Sequence, residues 1–237
     1  MTTRPRRIFI IAGEASGDLH AANMVRAALA RNGQLAFEGL GGPNMAAAGV
    51  RLCRNIVEDL AIIGLTGILR NLGEIHRLFR LIEDRFAQDP PDAVLLVDYP
   101  GFNLRVARKA KAYRLPVVYY ICPQTWAWHE SRAKSFPGIL DKMLTIFPFE
   151  ERLFREYGAD ATFVGHPLLD LMKITMTKQE VCAHFGLDPE RPIISLLPGS
   201  RSGEVRSLLP IMLEAAVQVV SAVPEATHAK SAAARRL

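Results

Sequence analysis

Residues 7–18 read RIFIIAGEASGD, and this stretch decides the predicted fold. The apolar run at residues 8–12 is typical of a strand that is buried on both faces of a parallel sheet. Gly13 and Gly17 permit a tight turn after that strand, and Ser16 can cap the helix that follows. The stretch therefore predicts the first strand, ligand loop and helix start of a Rossmann-like lobe.

Similar apolar runs recur along the chain and alternate with segments of helical periodicity. Predicted strands cover residues 7–12, 93–98, 116–121, 143–147, 161–164 and 192–197. Predicted helices cover residues 17–32, 66–88, 104–113, 148–157, 178–185 and 203–223. This alternation predicts an α/β fold with a parallel sheet covered by helices on both faces.

The alternation is interrupted once, at residues 170–178, where the sequence is polar and no strand is predicted. A new strand, loop and helix begin at residue 192, which predicts a domain boundary. We expect a complete N-terminal Rossmann-like lobe at residues 1–172 and the beginning of a second one at residues 173–237. Residues 225–237 are rich in Ala, Lys and Arg, and we expect a disordered or non-native tail without a strand.

The composition is that of a globular protein, with 49% hydrophobic and 22% charged residues in 237. The formal net charge of +5 favours an anionic partner, such as a phosphate, a nucleotide or an acidic membrane surface. Nucleic acid is not favoured, because the basic residues are scattered and are not interleaved with aromatic ones. The three cysteines are far apart and suggest neither disulfides nor a metal site, so we expect a reducing cytosol.

Two apolar segments are candidates for membrane segments. The run at residues 8–12 is too short for a signal peptide and meets acidic residues. The tract at residues 60–69 is interrupted by glycines and is shorter than the roughly 20 residues that a spanning helix needs. We expect no segment that crosses a membrane.

Three predicted loops directly follow strands, at the edge where an open parallel sheet binds its ligands. In the first, the carboxylates of Glu14 and Asp18 can bind hydroxyl groups, although a capped turn without ligand explains the pattern too. The loop lacks GxGxxG, so a dinucleotide is not favoured. In the second, Asp98 ends an apolar strand and suits a general base, although it can also cap the next helix. In the third, Gln124 is followed by two tryptophans, Trp126 and Trp128. The two indoles can hold a sugar or an acyl chain, or they can close the core.

Two further segments suggest binding. Pro198-Gly199-Ser200-Arg201 lies between a strand and a helix, where backbone N–H groups and a guanidinium can hold a diphosphate. It lacks a P-loop pattern, so ATP hydrolysis is not implied. Residues 60–64 are apolar and end at a glycine, and the helix predicted after them carries an apolar stripe. Both segments can contact lipid, although such a stripe usually packs in the protein core. The residues expected to contact lipid are Ile62, Ile63, Leu65, Ile68, Leu69 and Leu72.

The motifs together resemble the lipid-A-disaccharide synthase family, glycosyltransferase family 19. The matching motifs are AGEASGD (12–18), GLGGP (39–43), DYPGFN (98–103), QTWAW (124–128), FPFE (147–150), VGHP (164–167) and LLPGSR (196–201). They cover residues 7 to about 223.

The resemblance implies a GT-B-like hexosyltransferase of lipid A biosynthesis. It inverts the anomeric configuration and joins UDP-2,3-diacylglucosamine to 2,3-diacylglucosamine 1-phosphate, lipid X. The implied products are the disaccharide 1-phosphate and UDP, without a metal or other cofactor. The implied location is the cytoplasmic face of the inner membrane, with peripheral association and a possible homodimer in full-length members.

By the same resemblance, Asp98 is the base for the acceptor hydroxyl, and Glu14 acts beside it. The residues expected to bind substrate are Ser16, Asp18, Asn103, Gln124, Trp126, Ser200, Arg201 and Glu204.

The chain departs from the family in one respect, since family members continue past this point. We expect C-terminal truncation, by a premature stop or a frameshift, with little or no turnover. Alternatives are another sugar-nucleotide enzyme, such as an epimerase, a non-catalytic lipid- or phosphate-binding remnant and, third, a dehydrogenase.

Overall fold

The chain divides into two compact units, Met1–Leu171 and Met172–Leu237. The computed structural model describes residues 4–57, 72–127, 130–199, 202–222 and 227–229. The predicted boundary, after residue 172, falls one residue from this division.

The first unit is built on a parallel sheet of seven strands in the order β3-β2-β1-β4-β5-β6-β7. The strands are β1 (Arg6–Ala12), β2 (Leu35–Gly41), β3 (Arg51–Asn55), β4 (Ala93–Val97), β5 (Val117–Tyr120), β6 (Lys142–Thr145) and β7 (Ala161–Phe163). The central strand β1 is parallel to both neighbours, with Ile10 opposite Gly39 of β2 and Leu95 of β4. The order reverses beside β1, so this unit has the doubly wound topology that places ligands at the carboxyl ends of the strands.

Helices cover both faces of this sheet. They are α1 (Ala15–Arg31), α2 (Pro43–Ala47), α3 (Leu72–Gln88), α4 (Pro100–Ala112), α5 (Pro148–Glu156) and α6 (Leu168–Leu171), with a 3-10 turn at Glu130–Ser135. Successive residues of β1 point to opposite faces. Phe9 and Ile11 pack with residues of α3, α4 and α5, whereas Ile10 and Ala12 pack with residues of α1 and α2. The apolar β1 sequence therefore supplies two cores.

The second unit contains α7 (Lys178–Phe185), β8 (Ile193–Ser195), α8 (Ser202–Ala222) and β9 (Thr227–Ala229). A capping box starts α7, because Thr177 accepts from the Glu180 N–H and the Glu180 carboxylate accepts from the Thr177 N–H at 2.7 Å.

The prediction that residues 225–237 contain no strand was wrong. Residues 227–229 form β9, which pairs in parallel with β8 through Ile194 and His228. Parallel pairing is made by backbone groups, so a short strand forms without the apolar run that the sequence prediction required. The result is a β-α-β unit.

One described helix is long and apolar enough to cross a membrane by length and composition. It is the Gly203–Ala222 part of α8. An 18-residue window of this segment has a mean hydropathy of 1.4, and 11% of the window is buried. Ile211 and Val217 are more than 60% exposed on it. Length and composition alone say little, because helices of soluble proteins pass the same test.

Several elements differ from the predictions. The strands β2 and β3 and the helix α2 were not predicted. The helix α4 begins at Pro100, four residues before the predicted start, so Asn103 lies in its first turn. The helix α1 begins at Ala15, which places Ser16 inside the helix. The part of the predicted helix at residues 66–71 lies outside the described residues.

Candidate active site

The loops that follow β1, β4, β5, β6 and β7 meet at one edge of the first sheet, because parallel strands end on the same side. Glu14, Asp98, Gln124 and Trp126 lie in these loops or at the helix starts that follow them. The topology therefore brings these predicted residues to one edge.

Asp98 follows the last residue of β4 and adopts a left-handed backbone conformation, with φ of 50°. Tyr99 is also left-handed, with φ of 49°, and serves as the N-cap residue of α4. Left-handed non-glycine residues cost about 1–3 kcal/mol each and cluster at functional sites. Two in succession form a sharp elbow that presents the partly exposed Asp98 beyond the end of the strand.

Hydrogen bonds from two buried side chains hold this elbow. The Asp98 carbonyl accepts from the Tyr119 hydroxyl at 2.6 Å and from the Asn103 side-chain amide at 2.7 Å. The Asn103 amide also donates to the Val97 carbonyl at 3.2 Å, and the Asp98 N–H donates to the Tyr120 carbonyl at 3.1 Å. The backbone of Asp98 is thereby fixed by β5 and α4.

Asn103 was predicted to bind substrate, but the structure buries it completely. Its amide group is directed at the backbone of Val97 and Asp98. Asn103 thus positions the elbow. Tyr119, which sequence reasoning missed, has the same effect, and burial raises the pKa of its hydroxyl well above the usual value.

Glu14 is the N-cap residue of α1, where its side chain makes no capping hydrogen bond. It lies close enough to Tyr99 to raise the pKa of that phenol, although burial of Tyr99 is the larger cause. The approach depends on Gly13, because a Cβ atom there would lie 2.5 Å from the Tyr99 ring. The loops after β1 and β4 therefore contact each other.

Ser16 does not cap α1, as the sequence suggested, because the helix begins at Ala15 and Glu14 is the N-cap residue. Ser16 is exposed in the first turn and remains available to a ligand.

Asp18 was predicted to contact a sugar, but it is completely buried. Its carboxylate accepts from the backbone N–H groups of Gly42, Asn44 and Met45 at 2.8, 2.9 and 3.1 Å, and from the Asn44 amide at 2.9 Å. These groups form the start of α2. These bonds occupy both carboxylate oxygens of Asp18 and tie α1 to α2.

Gln124 and Trp126 follow β5, and both are exposed, Trp126 by 40%. The Trp126 indole N–H donates to the Glu150 carboxylate at 3.1 Å, and the ring contacts Phe149 edge to face. The alternative in which Trp126 closes the core is not what the structure shows. Trp128 lies outside the described residues.

A histidine pair, which was not among the predicted site residues, adds to this edge. Burial and, less strongly, the neighbouring charge of His166 lower the pKa of His20. The His20 Nδ1 atom is buried without a hydrogen-bond partner among the described residues. Both effects favour the neutral form of His20, which lies near His166 of the loop after β7.

In the second unit, Gly199 has a φ of 112°, and a Cβ atom there would lie 2.5 Å from the Glu204 carboxylate. Glu204 thus lies over the loop that precedes α8.

Ser200 and Arg201, the predicted diphosphate ligands, lie outside the described residues. So do the predicted acyl-contact residues Ile62, Ile63, Leu65, Ile68 and Leu69, whereas Leu72 is the first residue of α3.

A cavity of about 530 Å³ lies elsewhere, between β3 and α3, and was not predicted. Four arginines line it: Arg51, Arg77, Arg80 and Arg85. Two of them are held by the buried Glu38, which accepts from Arg51 and from Arg85. Within the described ranges, no group of three or more His, Cys, Asp or Glu side chains is arranged to hold a metal ion.

Solved structures show the same fold. A putative UDP-N-acetylglucosamine 2-epimerase from Listeria monocytogenes superposes with a TM-score of 0.63 at 11% identity, over 97% of this chain and 63% of that chain. A UDP-GlcNAc 2-epimerase from Neisseria meningitidis, bound to UDP-GlcNAc, gives 0.61 at 11% identity, over 96% and 65%. MurG of Acinetobacter baumannii gives 0.50 at 12% identity, over 96% and 66%. These similarities confirm the predicted α/β, GT-B-like fold class and, at such identity, nothing further.

Sequence comparison identifies closer relatives. The lipid-A-disaccharide synthase of Geobacter sulfurreducens is 44% identical over 219 residues, which are 92% of this chain and 57% of the relative. That of Syntrophus aciditrophicus is 46% identical over 209 residues, 88% of this chain and 54% of the relative. The chain thus spans a little over half the length of these relatives. The profile of the lipid-A-disaccharide synthetase family matches residues 8–234. The chain therefore belongs to the lipid-A-disaccharide synthetase family, as its motifs suggested.

Proposed function

We propose that this chain supplies the acceptor side of an inverting glycosyltransferase. The enzyme joins UDP-2,3-diacylglucosamine to 2,3-diacylglucosamine 1-phosphate and forms lipid A disaccharide 1-phosphate and UDP. The single observation that carries this proposal is the rigid Asp98 elbow at the carboxyl end of β4. Family membership supports the choice of substrates.

In the proposed mechanism, the Asp98 carboxylate accepts the proton of the acceptor 6-hydroxyl. The oxygen attacks the anomeric carbon of the donor, the bond to the UDP oxygen breaks and the configuration inverts. A general base must be held within hydrogen-bond reach of the proton that it removes. The bonds from Tyr119 and Asn103 to the Asp98 carbonyl provide such support. Glu14, beside Tyr99, orients the acceptor.

The donor is proposed to be held from the second unit, by Ser200, Arg201 and Glu204. A guanidinium and the backbone N–H groups before α8 would offset the charge that develops on departing UDP. A UDP-sugar donor is supported by the UDP-GlcNAc bound to a Neisseria meningitidis epimerase of the same fold.

We also propose that residues 62–72 contact acyl chains and the inner face of the membrane. The positive net charge would favour an anionic lipid surface. The proposed location is cytoplasmic, with peripheral membrane association.

The test uses the chain and a hybrid in which residues 1–222 replace the matching part of the Geobacter sulfurreducens relative. We expect the hybrid to form disaccharide 1-phosphate from UDP-2,3-diacylglucosamine and lipid X. Asp98→Asn should lower kcat by roughly 10²-fold or more, the range of general-base catalysis, and leave lipid X binding by the chain intact. The matched control is Asp84→Asn, an exposed carboxylate on α3. A folded hybrid without product, or full activity in Asp98→Asn, would overturn the proposal.

A further inference from the structure

Four rings at the carboxyl edge of the first sheet form a continuous chain of aromatic contacts. Trp126 meets Phe149 edge to face at 5.1 Å, Phe149 stacks on Phe147 at 5.7 Å, and Phe147 contacts His166 at 5.4 Å. Trp126 lies in the loop after β5, Phe147 and Phe149 at the start of α5, and His166 in the loop after β7. We call these four residues the aromatic platform. The platform begins one strand along from Asp98, since β5 is the neighbour of β4.

Two of the four platform rings are exposed, and the other two are partly buried. Trp126 is 40% exposed and Phe149 is 44% exposed. Single exposed apolar side chains are ordinary, but contiguous ones at a ligand edge indicate binding.

A buried carboxylate fixes the platform. Glu150 is 1% exposed, and its Oε1 atom accepts from the Trp126 indole at 3.1 Å. Its Oε2 atom accepts from the N–H groups of Ile146 and Phe147 at 3.3 and 3.2 Å. Glu150 thus orients the indole and the start of α5 at the same time.

These bonds also decide what the platform can bind. The indole N–H of Trp126 is already used, and the Nδ1 atom of His166 accepts from the Leu168 N–H at 3.2 Å. The exposed surfaces of Trp126 and Phe149 are therefore ring carbon. A sugar requires donors and acceptors for its hydroxyl groups, whereas a hydrocarbon chain requires none. A hydrocarbon chain can therefore cover these ring faces without burying an unpaired polar group of Trp126 or Phe149.

We infer that the aromatic platform binds a fatty acyl chain of an acylated glucosamine phosphate. This inference rests on the proposed function, which supplies the acylated substrate, and it adds Phe147, Phe149 and His166 as contact residues and Glu150 as a positioning residue. The acyl chain packs across Phe149 and Trp126 while the sugar lies toward Asp98.

The experiment uses the full chain with Trp128→Phe, which leaves Trp126 as its only tryptophan. Trp126 fluorescence is titrated with 2,3-diacylglucosamine 1-phosphates of increasing acyl length, each below its critical micelle concentration, and with glucosamine 1-phosphate. Affinity should rise by up to about fourfold for each buried methylene group. Phe149→Ala in this background should lower the affinity for the longest ligand about tenfold and leave glucosamine 1-phosphate binding unchanged.

Two variants complete the test. Phe185→Ala removes a comparably exposed ring, at 43%, from the second unit and should change neither affinity. Phe149→Leu keeps apolar bulk and should recover much of the loss. Affinity independent of acyl length, or an equal loss with Phe149→Ala for both ligands, would overturn the inference.

The outcomes separate this inference from the proposed function. Length-dependent binding that needs Phe149, with no transfer by the hybrid, supports the platform and refutes the transferase. Asp98-dependent transfer without length-dependent binding does the reverse.

Discussion

The Tyr119 hydroxyl donates a 2.6 Å hydrogen bond to the backbone carbonyl of Asp98, across the boundary between β5 and β4. Tyr119 is completely buried, and burial raises its pKa well above the usual value, so the hydroxyl remains a donor at all physiological pH values. The position of the proposed base is thus set by a side chain of the neighbouring strand.

Tyr119→Phe should destabilise the first unit and loosen the elbow. The substitution removes one of two side-chain bonds to the Asp98 carbonyl and keeps the ring, so we expect a loss of about 1 kcal/mol in the free energy of unfolding. Urea unfolding followed by tryptophan fluorescence measures it, because both tryptophans lie in this unit. Tyr113→Phe, at a site 39% exposed, is the control. Equal stability of the two variants would contradict the prediction.

The fold was predictable where strands are buried on both faces. Residues 8–12 of β1 and residues 93–97 of β4 are apolar throughout, and the sequence predicted both strands. The strand β2 was missed because its sequence, LAFEGLG, is interrupted by Glu38 and Gly39. Glu38 is satisfied by arginines from β3 and α3, and Gly39 leaves room for the Ile10 carbonyl, 1.9 Å from where a Cβ atom would lie. These contacts join residues that are far apart in the sequence, so a local hydrophobic pattern does not reveal them.

The candidate site was predictable at the level of loops and less so at the level of roles. Position after a strand correctly placed Glu14, Asp98 and Trp126 at one edge. Burial could not be inferred, and it gives Asp18 and Asn103 supporting positions. No sequence signal distinguished Asp18 and Asn103 from residues that contact a ligand. For Glu150 a signal did exist, because it follows Phe147 by three residues, the spacing of a helix-capping residue.

Gly13→Ala should disturb the contact between the first and second ligand loops. The added Cβ atom would lie 2.5 Å from Cδ1 of Tyr99, so the ring must move, and such overpacking costs about 1–3 kcal/mol. Urea unfolding measures the loss. Gly73→Ala, where the added Cβ atom meets no described atom within 4 Å, is the matched control. Adding Tyr99→Leu to Gly13→Ala should restore part of the stability; a purely additive double variant would argue against this contact.

Asp18→Asn should weaken the attachment of α2 to α1. The carboxylate accepts four hydrogen bonds, and an amide directs its NH₂ group at N–H donors that then lack a partner. We expect a loss of roughly 1–3 kcal/mol, the cost of buried unsatisfied groups. Thermal and urea unfolding measure it, with the exposed Asp84→Asn as control. Unchanged stability would mean that the Asp18 bonds do not hold α2.

Glu38→Gln should destabilise the first unit in a pH-dependent manner. Burial acts to raise the pKa of Glu38, but hydrogen bonds and charges of Arg85 and Arg51 outweigh it and leave the pKa below its ordinary value. A carboxyl group whose folded-state pKa is lowered stabilises the protein above its unfolded pKa, about 4.3 for Glu, and this stabilisation is lost as the pH falls through the folded pKa.

The difference in unfolding free energy between the parent and Glu38→Gln should therefore be largest near pH 6–7, at about 2 kcal/mol for hydrogen bonds to charged groups. It should shrink as the pH falls below about 4.3. Urea unfolding at a series of pH values measures it, and Glu156→Gln, whose side chain is 66% exposed, should show little difference at any pH. A difference that stays constant or grows toward low pH would show that the Arg85 and Arg51 contacts do not stabilise the charged form of Glu38.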